Sequence, residues 1–342
     1  MPEADTMLGL SKPLRKLVVD KFSTACKHNN VQFSETRVAL LRSQGAAPFQ
    51  LRYCPALAKK TKEDKGDASS KESSKSRFDP FADPAEELLV ANIPGGNASH
   101  ILVLNKFPVI PNHFIIATKA NKPQTALLEE DDIGLTYACL RAWKDQNQEQ
   151  APSRLFAFFN SGEHSGASQP HRHLQFLPVE DMSSPQAPGW DLLLDRMTKP
   201  AHPTLPLFRD PSLPFLHFST PLEGTPSSAS LHSKYMLLLK AALSAALLPG
   251  KSLEQDIEVE RDGLAVFSYN LAMTTERMAI CPRRRESVAI PGAGPASSVA
   301  PNGTILGGTL MVKFEAEWDI LQQDHSILDG MLTTIGFTPI SW

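Results

Sequence analysis

Two histidines and a glutamine alternate at positions 171, 173 and 175, within Ser165-Gly166-Ala167-Ser168-Gln169-Pro170-His171-Arg172-His173-Leu174-Gln175-Phe176-Leu177-Pro178. The alternation is a strong constraint on folding, because successive side chains on a β-strand point to opposite faces. His171, His173 and Gln175 then share one face, and Arg172 and Leu174 share the other. The small residues from Ser165 to Ser168 make a loop that runs straight into this strand. Two imidazoles and a carboxamide therefore converge beside backbone that can approach a ligand closely.

That arrangement suits attack on a bound phosphate. An imidazole titrates near neutrality, so it offers a lone pair to phosphorus without an auxiliary base. The phospho- or nucleotidyl-imidazole that forms can pass its group to a second acceptor, which splits one difficult transfer into two. One ring nitrogen must be held by a hydrogen bond so that the other faces phosphorus, and a carbonyl of the same strand can do this. Gln175 can donate to a non-bridging phosphate oxygen and cannot be deprotonated. The backbone N–H groups and hydroxyls of Ser165, Gly166, Ala167 and Ser168 add donors around the anion. A zinc reading of the two histidines needs further ligands, and His113 and His164 lack a convincing ligand spacing.

Charge and cysteine usage narrow the class. The chain has 342 residues, with 34 Lys and Arg against 37 Asp and Glu, a formal charge of −3. A duplex-binding protein is usually basic, so nucleic acid is not the expected partner. Cys26, Cys54, Cys139 and Cys281 are scattered, with no Cys-x-x-Cys pair. This argues against a disulfide scaffold or a cysteine zinc site and fits a reducing compartment. Glu3 and Asp5 precede no apolar core segment, so no signal peptide is expected. The apolar stretch 235–248 is interrupted by Lys240 and Ser244 and is too short to span a membrane. A soluble protein of the cytoplasm, with the nucleus as a second compartment, is the expectation.

Along the chain, residues 8–28 have helical spacing and 49–53 alternate like a strand. Residues 59–77 are rich in Lys, Ser and Asp with no large apolar side chain, and read as a disordered, solvated insertion. Strands are predicted over 100–107 and 113–118, joined by a turn too short for a crossover and hence antiparallel. A helix over 127–148, a strand over 154–160, the small-residue loop and the His strand follow. Residues 181–225 read as a Pro-rich connector on the surface. Helix 231–248, strands 264–270 and 278–281, and a helix over 310–321 complete a second half with similar element order and no second His-x-His. The expected organisation is an N-terminal helix and strand (1–58), the insertion (59–77), a catalytic half (78–180), the connector (181–225) and a C-terminal half (226–342). By residue type alone, Asn105 and Lys106 end a strand, Asn270 and Thr274 flank a hairpin, Met278 suits a core, and Arg283–Arg285 read as a solvated run.

At His100-Ile101-Leu102-Val103-Leu104-Asn105-Lys106-Phe107, Pro111-Asn112-His113-Phe114, the loop with His171-Arg172-His173-Leu174-Gln175, and Ser268-Tyr269-Asn270-Leu271, the chain resembles the fungal diadenosine tetraphosphate phosphorylases (ATP adenylyltransferases) of the histidine-triad superfamily. The likeness runs from about residue 49 to 337. Triad hydrolases carry a third histidine where Gln175 stands. The glutamine is shared with the transferase branch, whose sugar enzymes read His-Pro-His where Arg172 lies here. The resemblance implies an α+β fold, a histidine-triad-like antiparallel sheet with flanking helices, built from two fused half-domains, the second degenerate. It implies a monomer acting on dinucleoside polyphosphates, ATP, ADP and phosphate, accompanied by a divalent cation such as Mg²⁺ without dedicated protein ligands. His173 would be the nucleophile, His171 would supply its orienting carbonyl, and Gln175 and the Ser165–Ser168 loop would hold the α-phosphate. Asn160, Asn105, Lys106 and Lys59 would contact nucleotide or polyphosphate, as would Asn270, Thr274 and Met278 from the second half. Water as acceptor, giving a hydrolase, and a nucleotide-binding protein without turnover are the competing readings. Gln175 speaks against the first, and the intact His173–Gln175 pair against the second.

Overall fold

The computed structural model describes residues 7–34, 36–42, 47–58, 79–144, 153–247 and 263–340. The predicted insertion 59–77, including Lys59, lies outside them. The first helix, α1 (Leu14–Lys27), starts one residue after Pro13, whose ring lacks an N–H to leave unpaired. Strands β1 (Arg37–Leu41) and β2 (Phe49–Tyr53) pair antiparallel at the edge of a three-stranded sheet.

A ten-stranded antiparallel sheet carries the rest. Its first half holds β3 (Leu89–Ile93), β4 (His100–Leu104), β5 (Phe114–Thr118), helix α2 (Glu130–Ala142), β6 (Leu155–Ser161) and β7 (His173–Pro178). The second half repeats that order as β8 (Lys199–Pro200), β9 (Phe208–Arg209), β10 (Phe218–Pro221), helix α3 (Ser228–Leu247), β11 (Ser268–Met273) and β12 (Arg277–Arg283). The spatial order is β3-β4-β5-β7-β6-β11-β12-β10-β9-β8, so the halves mirror each other about the β6–β11 seam. The second half is thus a copy of the first without the His-x-His pair. The predicted antiparallel pair is β4 and β5, with Leu104 opposite Phe114.

Three readings of the sequence are corrected. The stretch 181–225 is more than a surface connector, because β8, β9 and β10 lie in it and complete the sheet. The strand predicted from 264 begins at Ser268; Leu264 and Val266 are 65% and 72% exposed, and pairing with β6 starts only at Tyr269 opposite Ser161. The helix predicted over 310–321 is instead strand β13 (Thr309–Val312) followed by α4 (Glu315–Gln323) and α5 (Ser326–Ile335). β13 pairs parallel with β2 near the other end of the chain, a partner that local periodicity cannot register.

The two faces of the large sheet have different cover. Leu174, Phe176, Phe159, Leu271, Met273 and Met278 face α2 and α3 and form one core with Cys139, Leu238 and Leu239. On the other face, Phe156, Phe158, Ala272, Ala279 and Cys281 pack under Ile305, Leu306 and Leu310. Toward the β4 side of that face, Ile101, Val103, Ile115 and Ala117 pack with Phe81. Ala117 lies opposite His173, and Ile115 and Phe158 flank Gln175. The His strand therefore presents His173 and Gln175 in the interval between two apolar clusters. No helix among the described residues is long and apolar enough to cross a membrane.

Candidate active site

His173 is held as the sequence requires of a nucleophile. Its Nδ1 donates to the carbonyl of His171 at 2.8 Å, which leaves the Nε2 lone pair for chemistry. The residue is buried, and burial pushes its pKa down to about 4; the bond to the carbonyl opposes the shift and the nearby His171 ring adds to it. The imidazole is therefore neutral, and nucleophilic, at physiological pH. The ring of Phe81 lies 5.1 Å from the His173 ring and 5.6 Å from that of His171.

His171 has a different environment. Its Nδ1 is 2.8 Å from Asp79 Oδ2 and its Nε2 is 2.6 Å from the Thr118 carbonyl. Burial works to raise the Asp79 carboxyl, but the Phe81 N–H and His171 outweigh it and hold the group below the usual carboxylate range. Both His171 nitrogens thus face oxygen acceptors, which holds the ring in place behind His173.

Two buried side chains fix the strand itself. Gln124 accepts from the His173 N–H at 2.8 Å and donates to the carbonyls of Asn160 and His173 at 2.8 and 3.2 Å. It bridges β6 and β7 where the ladder opens toward the site. On the opposite face, Arg172 Nη1 donates to Asp132 Oδ2 at 2.7 Å and Glu129 Oε1 at 2.8 Å, tying the strand to the start of α2. Asp132 is also bonded to His100 Nε2 at 2.9 Å.

The two carboxamides of the site are each tied at their oxygen. Gln175 Oε1 lies 3.1 Å from His113 Nε2, and His113 Nδ1 lies 3.1 Å from Asn105 Nδ2. Asn160 Oδ1 accepts from the Gly303 N–H at 2.8 Å and from Asn270 Nδ2 at 2.9 Å. Asn270 also donates to the Ser165 carbonyl, and its Oδ1 accepts from Arg283 at 2.6 Å. Asn160 Nδ2 is buried with no hydrogen-bond partner among the described residues, and Asn160 is only 1% exposed. Its strand position places it opposite His173, so an acceptor is called for where a substrate phosphate would sit.

The remaining predicted residues divide. Ser165 is buried and its hydroxyl donates to the Gly162 carbonyl at 2.6 Å, so in this arrangement it shapes the loop. Gly166 has φ of +76° and an added Cβ would meet the Pro301 carbonyl at 2.9 Å; the loop turns there because glycine tolerates both. Ala167 and Ser168 continue the loop toward His171, and Ser168 is exposed. Lys106 is exposed beside half-buried Asn105. Thr274 and Met278 are not brought to His173. Thr274 forms the β11–β12 turn, about 13 Å along the strand from Asn270. Met278 is fully buried on the helix-covered face, as its residue type suggests.

The sequence did not single out Gln124, Asp79 or Phe81, and it misplaced Arg283. Far from a solvated run, Arg283 is 2% exposed and burial holds its pKa down to about 10. Only strand register could have revealed it, since Arg283 lies opposite Ser268 in the same ladder that sets Cys281 opposite Asn270. Among the described residues no group of three or more His, Cys, Asp or Glu side chains is arranged to hold a metal.

Known proteins match the whole of this framework. Residues 5–194 match the Ap4A phosphorylase N-terminal domain (Ap4A being diadenosine tetraphosphate), and residues 211–338 match the ATP adenylyltransferase C-terminal domain. Diadenosine 5',5'''-P1,P4-tetraphosphate phosphorylase 2 of Saccharomyces cerevisiae is 29% identical over 340 residues, covering 96% of each chain. Protein APA1 of the same yeast is 26% identical, again over 96% of each. The crystal structure of yeast Ap4A phosphorylase Apa2 superposes with a TM-score of 0.75 at 26% identity, over 97% of this chain and all of that one. Its complex with AMP gives 0.73 at 26% identity, over 97% and 98% of the respective chains. With the fold and both domain matches spanning it, the chain belongs to the Ap4A phosphorylase family.

Proposed function

We propose that this protein cleaves diadenosine tetraphosphate by phosphorolysis, yielding ATP and ADP through an adenylyl group carried on His173. The observation that carries the reading is the His173 ring itself: neutral, anchored through Nδ1 to the His171 carbonyl, and free at Nε2. Nε2 attacks the α-phosphorus and the bond to the bridging oxygen breaks, so ATP leaves with that oxygen. An oxygen of inorganic phosphate then attacks the same phosphorus, the P–N bond breaks, and ADP is released. The reverse sequence transfers an adenylyl group from ADP to ATP.

The surrounding groups suit an anion at every stage. Gln175 and Asn160 donate to the α-phosphate oxygens through their amide nitrogens, where negative charge builds up in the crowded phosphorane-like geometry. Lys106, with Asn105, adds a cation for the polyphosphate tail, and a divalent cation such as Mg²⁺ would come with the tail and neutralise part of its charge. The crystallised AMP complex of yeast Apa2 supports an adenine nucleotide as the ligand class. The site is built from both halves of one chain, since Asn270 and Arg283 come from the second, and this supports a working monomer.

The deciding experiment incubates the protein with diadenosine tetraphosphate with and without phosphate and resolves the products. ATP and ADP formed in turnover amounts only with phosphate are the expected result. Sustained AMP and ATP without phosphate would instead identify a hydrolase.

A further inference from the structure

We infer that His113 is a positioning residue, which sets the Gln175 carboxamide so that its NH₂ group, and not its oxygen, faces the reacting phosphate. The inference rests on the phosphorolysis reading, and it assigns His113 a role that is neither zinc ligation nor packing.

One group beside the site has a fixed polarity. The backbone N–H of Phe107 can only donate, and it lies 2.9 Å from the Asn105 carboxamide; the atom it meets is therefore Oδ1. The other end of that carboxamide, Nδ2, then faces His113 Nδ1 at 3.1 Å. An amide nitrogen has only hydrogens to offer, so His113 Nδ1 accepts through its lone pair and the ring proton sits on Nε2. That Nε2–H points at Gln175 from 3.1 Å, and the atom it meets must be the acceptor, Oε1. Gln175 is left with both amide hydrogens of Nε2 for the site. The polarity runs one way, from main chain to Asn105 to His113 to Gln175, and every step follows from the one before.

The consequence is chemical. A carboxamide without such a neighbour has two orientations that differ by a half-turn, one offering hydrogens and the other a lone pair. Facing a phosphate oxygen, the second orientation repels the charge that builds up in the transition state. The same logic governs the second carboxamide, whose oxygen is claimed by Gly303 and Asn270. The histidine is well suited to the task. It is 8% exposed, immediately before β5, and its ring lies 6.4 Å from that of Phe158.

The test compares full-length wild type with H113F, H113Q, Q175A and the H113F/Q175A double variant, turning over diadenosine tetraphosphate with phosphate. Phenylalanine fills the space of imidazole without a donor. Loss of one transition-state donor slows catalysis about 10²–10³-fold, so a mis-set donor is expected to lower kcat roughly 10- to 100-fold with little change in KM. Glutamine can accept at one end and donate at the other, and H113Q should recover most of the rate. Because His113 acts through Gln175, the double variant should be no slower than Q175A alone. The inference is overturned if H113F matches wild type, if H113Q is as slow as H113F, or if the double variant is slower than Q175A by the full H113F factor. Should H113F fail to fold, H113L is read by the same criteria. A wild-type protein that makes no ADP would sink the phosphorolysis reading and this inference together, whereas failure of the inference alone leaves the wild-type arm intact.

Discussion

Asn160 and Asn270 face each other across the seam between β6 and β11, and Asn270 Nδ2 donates to Asn160 Oδ1 at 2.9 Å. The two residues hold corresponding positions in the two halves of the sheet. The half that lacks a His-x-His pair thus contributes an orienting carboxamide. Its polarity is pinned at both ends, because the Gly303 N–H and the Arg283 guanidinium can only donate. Asn270→Asp keeps the size and the Arg283 contact but turns an oxygen toward Asn160 Oδ1 and the Ser165 carbonyl, which are both acceptors. Leaving buried polar groups so mismatched is expected to lower stability by about 1–3 kcal/mol. The first-step ATP burst should fall by roughly tenfold or more, as the Asn160 amide loses its setting. Urea unfolding and a quenched-flow burst measure the two effects, and a variant equal to wild type in both would reject the arrangement.

The neutral state of His173 makes a pH prediction. An ordinary histidine is half-protonated near pH 6.5, whereas burial places His173 at about 4. The ATP burst with diadenosine tetraphosphate, which has no terminal phosphate to titrate, should therefore hold level as pH falls through 6.5 and drop only on approach to 4. A burst midpoint between about pH 6 and 7 would reject it. The same shift enters stability. The unfolded chain takes up its proton first, so the folded state is undiminished above about pH 6.5 and loses stability as pH falls toward 4. Buried His217, also at about 4, adds a loss of the same sign, so the diagnostic is the difference between chains. Wild type should lose more stability over that interval than His173→Ala, as measured by urea midpoints at several pH values.

The part of the site that follows strand period was legible in the sequence. His171, His173 and Gln175 share a face by alternation, and the sheet places them so beside the small-residue loop. The duplicated element order was legible too, although β8–β10 hid in a Pro-rich stretch, because strands of two, two and four residues have too little periodicity to detect. What could not be read were the partners. His113 meets Gln175, Asp79 meets His171 and Arg283 meets Asn270 only because strands and loops from distant segments come into register. Carboxamides and guanidinium groups leave no periodic trace, and three consecutive arginines look solvated until β12 turns the first of them inward. Met278 shows the converse, as its residue type indicated the core correctly while the resemblance assigned it to a ligand.

Gly303 is confined by the close approach of its backbone to the site. A Cβ built there would lie 2.8 Å from Phe158 Cδ2 and 3.0 Å from Asn160 Oδ1, the acceptor of the Gly303 N–H. Neither neighbour is the loose end of a flexible chain, since both residues are buried on β6. Gly303→Ala should therefore overpack the seam and lower stability by about 1–3 kcal/mol. The displacement falls on the Asn160 amide, so the ATP burst should slow as well. Equilibrium unfolding and the burst amplitude test the pair of effects; a stable variant with an undiminished burst would place the Gly303 contact outside the chemistry.

Arg172 shows how the strand is held from behind. The residue is 3% exposed, and its Nη1 donates to Asp132, itself 1% exposed, and to the half-solvated Glu129. Burial works to raise the Asp132 carboxyl, but His100, Arg172 and the Glu129 N–H together hold it below its ordinary range. Arg172→Met keeps the length of the side chain and leaves a buried carboxylate short of its strongest cation. Breaking a buried pair by removing one partner is expected to cost about 3–5 kcal/mol at neutral pH. The sign of the pH dependence follows from the carboxyl. In wild type its pKa is depressed, so its contribution is present above the unfolded value and is lost as pH falls through the folded one. In Arg172→Met the carboxyl rises, so protonation in acid relieves the folded state. The deficit relative to wild type should thus be largest near neutrality and shrink in acid. Urea unfolding of both chains at pH 7 and in mild acid decides it: a deficit below about 1 kcal/mol at neutrality, or one that grows in acid, would show that the pair does not anchor the histidine strand.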